Sequence, residues 1–132
     1  MTLAVTLALN GGALASVRWA DQEFLAPAFS LANGGGVMDL VGWQTMFPNA
    51  GHGCSVGGEL YPDHGHAFAA YWASEGRESA FRHGDLIIRR TVSVGDSVTI
   101  EDTISCEGGV ESVFSYGHHI LFDAKPDSVV TG

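Results

Sequence analysis

Two apolar stretches near the start of the chain predict a β-hairpin. Residues 2–9 and 14–19 run apolar or alternate between apolar and polar positions, and Asn10, Gly11 and Gly12 lie between them. Residues of this kind supply the positive φ angles that a tight turn needs. We therefore predict that the two stretches pair as antiparallel strands.

Further along the chain, short apolar stretches recur at regular intervals and predict more strands. Gly- and Asp-containing turns separate them at residues 83–85, 95–96 and 107–109. The predicted strands, which we expect to form a meander, cover residues 79–83, 86–94, 97–105 and 111–122. Such spacing is typical of an all-β fold, an antiparallel β-sandwich. The whole chain, residues 1–132, is predicted to form a single β-sandwich domain.

Two local features qualify this strand pattern. Apolar and polar side chains alternate along residues 97–104, which indicates a sheet with one face in water, but the alternation slips at Asp102, where we expect a β-bulge. Helical periodicity is weak throughout. A short helix is predicted only at residues 42–47, where Pro48 would end it.

The segment from residue 37 to residue 72 has no clean strand period and carries unusual side chains. It mixes aromatic rings with histidines and short polar groups, namely Trp43, Phe47, Tyr61, Phe68, Tyr71 and Trp72 with His52, His64, His66, Asp39, Asp63 and Asn49. Its aromatic content argues against disorder, so we predict a long ligand-facing loop. Aromatic platforms beside hydrogen-bonding groups suit the apolar C–H faces and hydroxyl groups of a sugar.

Length and charge narrow the classes of function. The chain has 132 residues and a formal net charge of −9 with only six Lys and Arg, so we expect no nucleic-acid partner. The sequence contains no apolar run long enough to span a membrane and no pattern of a signal peptide, so neither a membrane partner nor secretion is expected. Cys54 and Cys106 form no metal-binding or redox motif and are expected to be free thiols of a cytoplasmic protein.

Three segments resemble landmarks of the aldose 1-epimerase (galactose mutarotase-like) family, in the order of that family. They are Gly42-Trp43-Gln44-Thr45-Met46-Phe47-Pro48-Asn49, Asp63-His64-Gly65-His66 and Gly117-His118-His119-Ile120-Leu121-Phe122. Residues 90–94, an arginine followed by alternating β-branched residues, resemble a strand of the family that lies between the last two landmarks. The resemblance covers about residues 1–125, but only the first half of a typical family member. We therefore expect the chain to be incomplete.

The resemblance implies a carbohydrate isomerase that interconverts sugar anomers by acid–base ring opening. It implies that His119 is the acid and His64 a second sugar-contacting histidine. Asn49, Asp63 and Trp43 are expected near the sugar. Adjacent strand residues point to opposite faces, so His118 is expected to support His119 from behind.

Two departures from the family bear on this expectation. The family's general base is a glutamate from its C-terminal half, a position that this sequence does not reach, and Asp39, Glu59 or Asp63 would have to replace it. Ala50 follows Asn49 where the family commonly has an arginine that grips the sugar. The alternatives are a noncatalytic carbohydrate-binding module and an inactive fragment that dimerises through exposed sheet edges.

No cofactor is expected, and no native metal site. Imidazoles do bind transition metals, and His52, His64, His66, His118 and His119 form a histidine-rich set. Their sequence spacing, however, predicts adventitious binding only. The expected ligand is a small aldose.

Overall fold

The computed structural model describes residues 2–33, 36–109, 111–129 and 131, and this part of the chain is all-β with antiparallel strand pairing. One four-residue helix, α1 (His66–Ala69), interrupts the strands. The strands are β1 (Leu3–Leu7), β2 (Leu14–Trp19), β3 (Gln22–Glu23), β4 (Phe29–Asn33), β5 (Gly36–Leu40), β6 (Trp43–Met46), β7 (Cys54–Val56), β8 (Glu59–Tyr61), β9 (Ala73–Glu75), β10 (Glu78–His83), β11 (Leu86–Val94), β12 (Val98–Cys106) and β13 (Gly117–Ile120). No helix among these residues is long and apolar enough to cross a membrane.

The strands form two larger sheets and two small hairpins. One sheet has the order β1-β2-β6-β13, with β3 paired to β2, and the other has the order β12-β11-β10-β9. The hairpins are β4-β5 and β7-β8. The segment at residues 37–72, predicted as a long loop, therefore contains most of β5, all of β6, β7, β8 and α1 in addition to its connections. The strands and the helix of this segment were hard to predict because each of them is only three to five residues long.

The amino-terminal hairpin is confirmed. β1 pairs with β2 from Leu3↔Trp19 to Leu7↔Leu14, and both Gly11 and Gly12 have positive φ angles, of 66° and 55°. Gly12 also lies against the Trp72 ring, where an added Cβ would approach within 2.7 Å of the ring. The turn is thus fixed by packing as well as by backbone conformation.

The predicted meander is confirmed for β10, β11 and β12, but its last strand is wrong. Strand structure in the 111–122 region is confined to β13, which leaves the meander and pairs with β6 in the other sheet, from Gly117↔Met46 to Ile120↔Trp43. Residues 111–116 are not strand. The pairing of β13 with β6 joins segments that are far apart in sequence, so the apolar pattern of residues 111–122 alone could not indicate the partner strand.

The helix predicted at residues 42–47 is also wrong, because Trp43–Met46 is the strand β6. Gly42 has φ 38°, and a Cβ there would lie 2.3 Å from the Leu14 carbonyl oxygen. β6 lies between β2 and β13 and pairs with both. Cross-strand hydrogen bonding therefore decides the conformation of a segment whose own periodicity is weak.

The β-bulge expected at Asp102 is absent, since β11 and β12 pair without a register shift from Leu86↔Cys106 to Val94↔Val98. Asp102 instead lies on the inner face of β12, opposite Arg90. The predicted outer face is confirmed, with Thr99, Glu101 and Thr103 exposed. The slip in the pattern therefore marks a buried ion pair within a regular strand.

The two larger sheets share apolar contacts. One cluster brings β2 and β6 together with β11 and β12 and consists of Leu14, Val17, Leu25 and Val92 with Leu3, Val5, Trp43, Val94, Val98, Ile100 and Ile120 against them. A second cluster lies beneath α1 and consists of Phe47, Ala67, Trp72, Leu86 and Ile88 with Phe81 and Ile104 against them. The histidines described below lie around α1 and β13, beside these clusters.

Candidate functional site

His64 and His119, 55 positions apart in sequence, have imidazole rings in contact. Their ring centroids are 5.4 Å apart with an interplanar angle of 81°. The Phe68 ring lies against both, at 4.7 Å from His64 and 5.7 Å from His119. His119 is on β13 and Phe68 on α1, so the pairing of β13 with β6 and the position of α1 create this cluster.

A strained turn holds His64 in this position. His64 has φ 64°, an uncommon conformation for a residue with a Cβ, and Gly65 follows with φ 78°. The His64 N–H donates to the Gly51 carbonyl at 2.8 Å, and the His64 carbonyl accepts from the Phe47 N–H at 3.2 Å. Strained residues of this kind persist where the surrounding contacts fix them, and they concentrate at functional sites.

The environment of His119 favours its neutral imidazole. Burial, followed by the nearby His64, lowers the pKa of His119 below its ordinary value. The Nδ1 atoms of both His64 and His119 are buried and, among the described residues, have no hydrogen-bond partner. Buried polar atoms without partners are rare in folded proteins, so this pair has unused hydrogen-bonding capacity.

An open cleft of about 410 Å³ borders the same cluster through Phe68. Its lining comprises Gly36, Val37, Met38, Pro62, Asp63, Gly65, His66, Phe68 and Ala69. The predicted 37–72 segment thus supplies nearly all of the wall. A larger depression, of about 640 Å³, lies on the four-stranded sheet, but no aromatic side chain lines it.

His118 lies on the other face of β13 from His119. Its Nδ1 accepts a hydrogen bond from Trp43 Nε1 at 2.9 Å, and its Nε2 is 2.7 Å from the Tyr116 hydroxyl oxygen. The Tyr116 hydroxyl also donates to Asp102. The expected opposition of His118 and His119 is therefore seen, and Trp43 contacts His118 instead of the His64–His119 pair.

Asp102 connects this group to a buried arginine. Arg90 donates from Nε and Nη2 to the two Asp102 carboxylate oxygens, at 2.8 and 2.6 Å, and from Nη1 to the Gly12 carbonyl at 2.6 Å. Burial and the hydrogen bond to Asp102 raise the pKa of Tyr116 to about 12. Burial and the Arg90 charge lower the pKa of His118 despite the opposing effect of Asp102.

Asn49 and Asp63 hold the loops around the cleft. Asn49 is buried, and its Nδ2 lies 2.8 Å from the His52 carbonyl oxygen and 3.2 Å from that of Gly51. Asp63 accepts from the Gly53 N–H and lines the cleft. The Asn49 Nδ2 thus bonds to backbone carbonyls and its Oδ1 accepts from the Ser115 hydroxyl, whereas Asp63 combines a structural contact with a position at the cleft.

The other two carboxylates considered as a base have partners of their own. Asp39 Oδ1 accepts from the Ser30 hydroxyl at 2.6 Å, and Glu59 Oε1 lies 2.7 Å from His83 Nε2. Asp39 is on β5 and Glu59 on β8. Neither of these hydrogen bonds brings a carboxylate to His119.

Sequence reasoning missed several of the residues that shape this region. Arg90, Asp102 and Tyr116 form the polar group behind β13, and the only signal for it was the slip in alternation at Asp102. The sequence also gave no signal that His83 and Glu59 join His66 in a second cluster, because strand pairing and the position of α1 bring the three together over long sequence distances.

The chain was compared with family models, with curated proteins and with solved structures, and no match was found in any of these comparisons.

Proposed function

We propose that the protein binds an aldose in the cleft beside Phe68 and that His64 and His119 act on the sugar ring as in an aldose 1-epimerase. The single observation that carries this proposal is the contact of the two imidazoles with each other and with the Phe68 ring. Phe68 lines the cleft, whereas His64 and His119 lie behind it and are not part of the lining. The packed sheets would form the β-sandwich typical of that family. The function would be anomer interconversion by ring opening.

In this proposal His119 protonates the ring oxygen, a step that contributes about 10²–10⁴-fold in rate when an acid is well positioned. The lowered pKa of His119 makes its protonated form scarce at neutral pH and abundant only below the ordinary histidine value of about 6.5. The acid-dependent part of the rate should therefore increase as the pH falls below about 6.5 and level off below the His119 pKa. Unfolding of the protein in acid would set the lowest pH at which this rate can be measured.

The hydrogen bonds of the nearby carboxylates favour binding over fast turnover. Ring opening also needs a base for the anomeric hydroxyl proton. Asp39 and Glu59 are paired with Ser30 and His83, and Asp63, which lines the cleft, accepts a hydrogen bond from the Gly53 N–H. Aromatic contacts and hydrogen bonds to the sugar hydroxyls stabilise ground and transition states alike, whereas proton transfer to a base acts on the transition state. We expect sugar binding with weak acceleration of mutarotation.

Polarimetry on freshly dissolved α-glucose and α-galactose, paired with calorimetric sugar titrations, tests the proposal. The wild-type protein should bind an aldose, and His119→Ala should remove the residual acceleration, whereas His52→Ala, which changes an exposed loop imidazole, should leave both unchanged. Binding without any acceleration would favour the noncatalytic carbohydrate-binding module. Absence of binding to every aldose tested would refute the sugar site.

A further inference from the structure

A second histidine cluster lies near the cleft but apart from the His64–His119 pair. Glu59 at the start of β8, His66 at the start of α1 and His83 at the end of β10 each offer a ligand atom, and these atoms lie within 4.8 Å of one another. The His66 and His83 rings are stacked, with centroids 4.0 Å apart and an interplanar angle of 15°. Three separate elements converge here.

We propose that Glu59, His66 and His83 form a binding site for one divalent transition-metal ion of the zinc type. Two imidazoles and one carboxylate are a ligand set that holds Zn²⁺ with a fourth position open to water or another ligand. This inference does not depend on the proposed sugar chemistry.

An unpaired buried atom supports the assignment. His66 Nδ1 is buried and has no hydrogen-bond partner among the residues that the structure describes. A buried nitrogen without a partner costs free energy, and rotation of the ring toward a metal would give one of its nitrogens a strong partner. The cluster therefore contains an imidazole nitrogen that the described contacts leave without a partner and that is available as a metal ligand.

Only a small rearrangement separates the present geometry from a metal site. Ligand atoms about 2.0–2.2 Å from a tetrahedral zinc lie roughly 3.3–3.5 Å apart, so the most separated pair would need to close by at most about 1.5 Å. The stacked rings must also rotate so that their nitrogens converge. Metal binding would replace the present Glu59–His83 hydrogen bond, with the proton on His83 Nε2 passing to Nδ1 or to solvent.

Neighbouring groups would orient and admit the ion. The Tyr61 ring lies edge-on to both imidazoles, with centroid distances of 5.5 Å to each. The Glu59 side chain is 54% exposed, which provides both an entry path and the freedom to reorient. A formal net charge of −9 also favours the approach of a cation.

Calorimetric titration of the chelator-treated protein with Zn²⁺ at about pH 7.5 tests the site. Wild type should bind one ion with saturation. His83→Ala should weaken binding by about 100-fold or more, and Glu59→Gln, which changes an exposed side chain and keeps a hydrogen-bonding group, by about tenfold or more. Zn²⁺ should also raise the melting temperature of wild type more than that of either variant.

His52→Ala is the matched control, because it removes an exposed imidazole outside the cluster, and it should bind Zn²⁺ like wild type. His119→Ala should do the same, which separates this site from the proposed sugar site. Non-saturating binding to wild type would overturn the proposal. So would equal weakening by His52→Ala and His83→Ala, or unchanged affinity in Glu59→Gln.

Discussion

The Asp102→Ala variant is expected to lose about 3–5 kcal/mol of unfolding free energy, the range measured when one partner of a buried ion pair is removed. The side chains of Arg90 and Asp102 are only 1% and 5% exposed. Without the carboxylate, Arg90 would keep its hydrogen bond to the Gly12 carbonyl but would remain as a buried charge without a counter-ion. Tyr116 would lose its acceptor as well.

Urea denaturation measures this loss, and Glu107→Ala is the matched control. Glu107 forms ion pairs with Arg82 and Arg89 on the surface, where its side chain is 50% exposed, so its removal should change stability little. Equal changes in the two variants would contradict the importance assigned to burial. A loss in Asp102→Ala of less than about 1 kcal/mol would do the same.

The acid dependence of stability provides a second readout for the same variant. Burial alone would raise the pKa of Asp102, but its hydrogen bonds to Arg90 and the Arg90 charge outweigh burial and lower it. The ionised carboxylate therefore contributes stability that is fully present above the unfolded value of about 3.9 and is lost as the pH falls through the lower folded value. Asp102→Ala should lack this component of acid destabilisation.

The Gly65→Ala variant is expected to lose about 3 kcal/mol or more, because backbone strain and overpacking act together. Gly65 has φ 78° and ψ 168°, a region that only glycine commonly occupies. An added Cβ would lie 2.4 Å from the Phe47 carbonyl oxygen and 2.8 Å from that of Asn49. Both contacts are with backbone atoms, which cannot move aside as a side chain would.

Gly76→Ala separates strain from steric overlap. Gly76 also has a positive φ, of 59°, but a Cβ there would have no atom within 4 Å, so only the left-handed strain of about 1–2 kcal/mol should appear. Thermal or urea unfolding of the two variants gives the comparison. Equal destabilisation would mean that the turn at Gly65 can relax. In the surviving folded fraction, Gly65→Ala should also weaken sugar binding, because it displaces His64.

The strand pattern could be predicted wherever neighbouring elements pair with each other. β10, β11 and β12 follow one another with tight turns, so alternation and turn residues were sufficient. β6 and β13 pair across 71 to 77 positions of sequence, and their conformation depends on a partner that local periodicity does not reveal. For the same reason, the helix predicted at residues 42–47 was wrong, and so was the prediction that residues 111–122 form the last strand of the meander.

The contact between His64 and His119 could be expected only from the family resemblance, which implies that both histidines contact one sugar. The structure places their rings in contact, while the resemblance and the sugar site stay predictions. The same reasoning named Glu59 only as a candidate base and gave no indication that Glu59 and His83 lie together with His66. It also could not assign Asn49 and Trp43 their contacts, because these depend on which backbone carbonyl or ring happens to lie beside them.

The alternation of side chains along β13 gives His118 and His119 separate sets of contacts, although they are neighbours in the chain. His118 belongs to a polar group whose other members are Trp43, Tyr116 and Asp102, and His119 belongs to the ring cluster with His64 and Phe68. Substitutions could therefore accumulate around His119 and change ligand preference while the anchoring of the strand stayed intact. This insulation would let the two faces of β13 evolve at different rates.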